Sequence, residues 1–264
     1  MENSVVLFSI GEDGVAVLRI NRPEVHNAFD DRVIEALITH LDTCHTDPQI
    51  KVLLLCSEGK HFSSGADLAW MKRMAASSHQ DNLNDAKRLA YLMQRLNTLA
   101  KPTLCLIQGN AYGGAIGLAA CCDIVIATES SLFCLSEVKI GLIPAVISPY
   151  VVRAIGERQA RRYFLTAEPF SAMQAASFGL VHEIVATPEL FHESYSKIIG
   201  HLQQNSPKAI HAAKELLASV SQQTIDKALI QDTVMRIADI RVSDEGQEGL
   251  NAFLQKRSPS WKEE

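Results

Sequence analysis

Apolar and polar positions alternate along Val5 to Ile10 and again along Val15 to Ile20, with Gly11-Glu12-Asp13-Gly14 between them. A two-residue period on each side of a glycine-containing turn predicts a hairpin. Asn21-Arg22-Pro23 breaks the second strand. From Asp30 the period changes, and Val33, Ile34, Leu37 and Leu41 fall at helical spacing. Lys51 to Cys56 (KVLLLC) and Thr103 to Ile107 are short and continuously apolar, as buried strands are. Between them, Gln80 to Ala100 carries Leu89, Leu92, Met93 and Leu96 on one helical face, with Pro102 as its stop. Ile124 to Ala127 and Leu132 to Leu135 read as further strands. Beyond them the pattern is helical. Ser171 with Gln174 has the form of a capping box. Thr187-Pro188 and Ser206-Pro207 each place an N-cap residue before a proline at the first helical position. Ile210, Ala213, Leu216 and Leu217 form one apolar stripe, and Leu229, Val234 and Ile237 another. The order of elements gives an α/β fold with a helical C-terminal part. No low-complexity linker divides it, and a soft boundary near Gly200 separates 1–199 from 200–264.

Two strand ends carry small-residue corners. After Thr103 to Ile107 comes Gln108-Gly109-Asn110-Ala111-Tyr112-Gly113-Gly114-Ala115-Ile116-Gly117, leading into an apolar helix that is expected to start at Leu118. After KVLLLC comes His61-Phe62-Ser63-Ser64-Gly65-Ala66-Asp67-Leu68, opening a helical pattern from Leu68 to Met74. Glycine at such a corner lets the backbone turn sharply and lets a ligand approach it closely. The first N–H groups of the helix are left unpaired and favour negative charge. One corner alone reads equally as a tight turn serving packing. Two corners supply two donors, which is what a thioester enolate oxygen needs.

The three segments HFSSGADL, GNAYGGAIGLAACCDI and FCLSEVKIGLIP resemble the signatures of the crotonase (enoyl-CoA hydratase/isomerase) family, as do NRPEVHNAF and AFLQKR towards the two ends. The resemblance covers nearly the whole chain. It implies a crotonase-like core, a stacked right-handed spiral of ββα units, followed by a C-terminal helical region that supports trimers pairing into hexamers. It also implies an acyl-CoA substrate, carried as its coenzyme A thioester, and no permanently bound cofactor.

By the same resemblance, the N–H groups of Ala66 and Gly114, the latter beside Gly113, form an oxyanion hole. Glu137 matches the second of the family's two catalytic glutamates, an acid/base whose pKa burial should raise. Its other reading is a surface glutamate in the first turn of a helix. Val25, His26 and Ala28 match the loop that lies along coenzyme A, and Ser64, Asp67 and Leu68 match its adenine pocket. His26 reads equally as a solvated loop residue. Pro144 falls in the third signature. Lys256, with Arg257, matches a basic pair that in the family reaches a coenzyme A phosphate, or else is simply solvated. Trp70, Met71 and Met74 are either acyl-pocket walls or ordinary core.

The chain departs from the family at Gly117, where the typical hydratase carries its first glutamate. A hydrogen side chain cannot activate water, so two-glutamate hydration is not expected. Gly117 and the run Gly141-Leu142-Ile143-Pro144-Ala145-Val146-Ile147-Ser148-Pro149 resemble bacterial methylglutaconyl-CoA hydratases of leucine breakdown. Those act on branched substrates with a distal carboxylate, for which Lys72, Arg73 and Lys139 are candidate partners. Three functions follow: hydration of a short or branched enoyl-CoA, isomerisation using Glu137 alone, or a silent paralogue that binds coenzyme A or RNA.

Composition narrows these. Of 264 residues 47% are apolar and 21% charged, with net charge −5, which supplies no basic face for nucleic acid or membrane. No uncharged apolar run reaches spanning length. Met1-Glu2-Asn3-Ser4 has no signal-peptide character, so a cytoplasmic location is expected. The six cysteines lack metal-ligand spacing and read as reduced, buried thiols. His61, Ser63 and Ser64 lack the G-x-S-x-G elbow of a serine hydrolase.

Overall fold

The structure, a computed structural model, describes residues 4–221 and 223–262. The leading Met1-Glu2-Asn3 segment lies outside them. Two compact units are present. One comprises residues 1–99 and 103–195, and the other residues 100–102 and 196–264.

The first unit begins with the expected hairpin, β1 (Val6–Ile10) against β2 (Val15–Ile20), antiparallel. From there the strands run parallel. β3 (Val52–Ser57) pairs with β2, β4 (Thr103–Ile107) with β3, β6 (Ile124–Thr128) with β4, and β9 (Glu183–Val185) with β6. The order is β1-β2-β3-β4-β6-β9. Every residue of β4 is buried, which explains its unbroken apolar sequence. A second sheet joins β5 (Asn110–Tyr112), β7 (Leu132–Cys134) and β8 (Phe170–Ser171).

Helices cover these sheets. α1 (Asp31–Thr46) is capped by Asp30, whose side chain accepts from the Val33 N–H, and buries Val33, Ile34, Leu37, Ile38, Leu41 and Cys44. α2 (Leu68–Ala75) is short and buries none of its residues. α3 (His79–Asn97) buries Leu92, Met93 and Leu96. Its cap is Thr98, so it ends before Pro102 acts. α4 (Gly114–Cys121) starts four residues earlier than the pattern predicts, at the second glycine of its corner. Its residues are almost all buried, and packing overrides the low helix propensity of glycine. α5 (Ser148–Thr166), which the sequence pattern did not show, bends at Gly156, where φ is 76°. α6 (Ala172–Ser177) has the predicted capping box between Ser171 and Gln174.

α7 (Phe191–Gln203) contains the point of division. Thr187 gives no side-chain cap and precedes only a turn of 3₁₀ helix. The second unit holds α8 (Pro207–Val220), α9 (Lys227–Val242) and α10 (Asp244–Leu254). Ser206 caps α8 through the Ala209 N–H, as its sequence predicts. Neither predicted stripe of this unit is fully buried: Ile210, Leu216 and Leu229 are half-buried, and the others are exposed. Leu217 is 66% exposed and Val234 52%. The six cysteines are buried, and none is in a disulfide. No helix among the described residues is long and apolar enough to cross a membrane.

Candidate active site

The two glycine corners lie side by side. Phe62 N donates to Gln108 O at 2.8 Å, Ser63 N to Asn110 O at 3.0 Å, and Tyr112 N to Ser63 O at 3.0 Å. At the first corner Gly65 has φ 93°, in the left-handed region that favours glycine, and Ala66 follows it. At the second, Gly113 has φ 54° and ψ −119°, and Gly114 opens α4. Among the described residues, neither the Ala66 nor the Gly114 N–H donates to a backbone acceptor. Both residues line one cavity of about 300 Å³. Two unpaired N–H groups on one apolar cavity fit an oxyanion.

Glu137 lines the same cavity. It starts a 3₁₀ turn, Glu137–Ile140, directly after the β7 segment. A Cβ on Gly113 would stand 3.2 Å from its Oε1. That close approach is a second reason, besides φ, for glycine at position 113. Glu137 Oε2 is buried and has no hydrogen-bond partner among the described residues. Burial raises the pKa of its carboxyl. The remaining lining is apolar: Phe29 and Ile34, Trp70 on α2, Ala86 and Leu89 on α3, and the segment Ile143 to Ile147 with Pro144. Glu137 is thus the titratable side chain among the described lining residues.

Position 117, where the sequence resemblance places the family's first glutamate, has no room for a side chain. A Cβ on Gly117 would meet Ile147 Cγ2 at 2.2 Å and Met93 Cε at 3.2 Å. Of Trp70, Met71 and Met74, only Trp70 reaches the lining. Its Nε1–H donates to Asp85 on α3 at 3.1 Å.

The chain matches the enoyl-CoA hydratase/isomerase family over residues 11–264. It belongs to that family. An enoyl-CoA hydratase structure from Shewanella pealeana is 47% identical, with a TM-score of 0.95, covering 98% of this chain and 97% of that one. The 2,3-dehydroadipyl-CoA hydratase of Escherichia coli is 30% identical, over 94% of this chain and 95% of its own. A trans-2-decenoyl-acyl-carrier-protein isomerase of Streptococcus mutans is 29% identical, over 99% of both. The fold is therefore the crotonase fold, and the chain is an enzyme of a family whose members bear both hydratase and isomerase names.

The residues matched to the family's coenzyme A loop and adenine pocket lie on one face of the first unit. Val25, His26, Ser64 and Leu68 are exposed, and Leu68 is 82% so. Ser64 N donates to His26 O at 2.9 Å, which joins the two loops. The His26 and His61 rings meet edge to face at 5.1 Å. His61 Nδ1 accepts the Asn110 N–H, and burial, with His26 and Lys60 beside it, lowers its pKa. Ala28 is buried. The Asp67 carboxylate is fully engaged: it caps α2 through the Ala69 and Trp70 N–H groups and pairs with Arg22 at 3.0 Å. Burial alone would push its pKa up, but these hydrogen bonds outweigh it and the pKa falls.

In the second unit, Lys256 is exposed with φ 53°, and the Arg257 guanidinium is held by Glu248 at 2.7 Å. Lys72, Arg73 and Lys139 do not line the cavity, and Arg73 pairs with Asp31. The sequence reading missed Ile147 and Phe29 as site residues. The only signal was that both are apolar residues inside family segments.

Proposed function

We propose that this protein hydrates the 2,3-double bond of a short or branched enoyl-CoA thioester, with Glu137 as its single acid/base. The observation that supports this most is the unpaired buried Oε2 of Glu137, on a cavity also lined by Ala66 and Gly114, whose N–H groups have no backbone acceptor among the described residues. In this reading the thioester oxygen accepts from Ala66 and Gly114 N–H. Ionised Glu137 takes a proton from water as its oxygen bonds to Cβ. The electron pair moves through Cα to the thioester oxygen as an enolate, which the two donors stabilise. The enolate then collapses, and Cα takes the proton from Glu137. Water is added and the carboxylate is restored.

The coenzyme A moiety is placed along Val25, His26 and Ala28, with the adenine near Ser64, Asp67 and Leu68; Asp67 then contributes through its backbone, since its carboxylate is engaged. Gly113 and Pro144 shape the cavity, and Lys256 remains a candidate phosphate contact. No permanently bound cofactor is needed. A neutral acyl chain suits this lining better than methylglutaconyl-CoA, because no described lining residue offers a cation to a distal carboxylate. The assembly proposed is a homotrimer or a dimer of trimers in the cytoplasm.

Isomerisation is the second reading, and the closed position at Gly117 favours it. One carboxylate can move a proton between two carbons without placing a water. A panel of enoyl-CoAs, crotonyl-CoA and methylglutaconyl-CoA included, turned over in oxygen-18 water tests both. Hydration puts the label in a 3-hydroxyacyl product. Isomerisation moves the double bond and leaves the product unlabelled. A panel with no turnover refutes both.

A further inference from the structure

Phe29 touches both corners of the site. Its N–H donates to Gly65 O and its carbonyl accepts from Asp67 N, each at 2.8 Å. Ala66 is therefore bracketed on both sides, and its own N–H turns away from Phe29. At the other corner the Phe29 ring lies against Gly114, where a Cβ would stand 3.3 Å from Phe29 Cδ2. The spacing of the two donors runs through this one residue.

The segment before Phe29 cannot hold its shape unaided. His26 and Asn27 have φ of 53° and 54°. Side chains adopt this region at a cost and keep it only where their surroundings fix it. Asn27 is fully buried; its Oδ1 accepts the Arg22 N–H, and its amide donates to the carbonyls of Glu58 and His61. The Arg22 side chain, 9% exposed, donates to Ala28 O at 2.7 Å and to Asp67 Oδ2 at 3.0 Å, and forms an ion pair with Asp30 Oδ2 at 3.3 Å. One of these partners precedes Phe29, one follows Ala66, and the ion-pair partner follows Phe29.

We propose that Arg22 is a positioning residue for the reaction, clamping the Phe29 segment to the Ala66–Asp67 turn and so setting the Ala66 N–H against that of Gly114. Arg22 does not line the cavity, so it would act through the two loops it joins. Its planar fork suits two acceptors and an ion-pair partner in different directions, which a lysine ammonium does not span in the same way. The proposal rests on the oxyanion-hole reading of the site.

The test binds a saturated acyl-CoA, carbon-13 labelled at its carbonyl, and records that carbonyl's stretch by isotope-edited infrared spectroscopy. Two N–H donors draw the stretch to lower frequency in the wild type. The same lowering is expected in Arg161→Gln, which removes an exposed pair with Glu157. Arg22→Gln and Arg22→Lys should lose most of it. Their kcat on the best enoyl-CoA should fall about 10²-fold, as for loss of one oxyanion donor, with KM changed little. If Arg22→Gln does not fold, Asp67→Asn weakens the same clamp from its other side and should give a partial loss. Arg22 variants that keep the lowered stretch in the bound complex, whatever their stability, overturn the proposal. So does a wild type that shows no lowering. A wild type that lowers the stretch but turns over no enoyl-CoA refutes the hydratase and isomerase readings and leaves the clamp standing.

Discussion

A side-chain carbon on Gly117 would sit 2.2 Å from Cγ2 of Ile147. No real contact is that short, so the two positions exclude each other. The first turns of α4 and the residue that caps α5 together fill with hydrocarbon the place where the family resemblance would put a carboxylate. Ile147 is 3% exposed and has nowhere to retreat without moving the cavity wall.

Gly117→Glu should therefore not gain hydratase activity. Overpacking of a close-packed core costs about 1–3 kcal/mol, and burying an unpaired carboxylate adds to it. The expected result is a lower denaturation midpoint and lower turnover. Gly117→Glu with Ile147→Ala should recover part of the stability. A single variant that folds as well as wild type and hydrates crotonyl-CoA faster would show that the space is not closed.

Assembly is the second expectation. In the C-terminal unit, Val234, Met235, Leu250 and Phe253 are exposed, Phe253 by 82%. Large apolar side chains left exposed on neighbouring helices are what a subunit interface would cover. Light scattering should give a mass that is a multiple of three of the 29.0 kDa chain. A monomer at micromolar concentration would refute it.

The corners were legible because their signals are local: a strand, a glycine, a helix, all within a dozen residues. Gly117 was legible as a departure from a pattern. Ile147 was not, since it meets Gly117 only through the fold. Arg22 read as a strand breaker, because its acceptors at positions 28, 30 and 67 are brought together by loops with no periodicity. The strands β5, β8 and β9 have two or three residues each, too few to show a period. In α5 the glycine at 156 interrupts the helical pattern in sequence as it does in space.

Trp70 is expected to report on the acyl end of the cavity. Its half-buried indole packs against the core and donates one hydrogen bond to Asp85, from a short helix with no fully buried residue. Asp85→Leu should free the indole and move its emission, read in a Trp261→Phe background since these are the two tryptophans. KM should rise for chains that reach this wall, while short chains are little affected. Unchanged emission and unchanged chain preference would remove Trp70 from the acyl wall.

The last expectation concerns Glu137, and it has two separable parts. Glutamine keeps the size and the hydrogen-bonding capacity of the side chain but cannot carry a proton to and fro. With the backbone donors intact, thioester binding should persist within a few-fold. Turnover should fall by about two to four powers of ten, the usual worth of a positioned acid/base. Gly117 supplies no second carboxylate to mask the loss. The second part follows from burial, which raises the Glu137 pKa in the folded state. A raised carboxyl pKa means that the folded protein binds more protons than the unfolded one between the two pKa values. Stability contributed in this way is present below the unfolded pKa and is lost as pH rises through the folded one. Glu137→Gln removes that loss. The variant should therefore be more stable than wild type near neutral pH, and the gap should close on acidification below the glutamate range. Denaturant midpoints across pH measure it, beside a kcat/KM profile that falls in wild type as Glu137 is protonated. A variant that keeps more than about a tenth of wild-type turnover excludes Glu137 as the principal acid/base. A variant that is less stable at neutral pH excludes the desolvated carboxylate, with its unpartnered Oε2, on which that role depends.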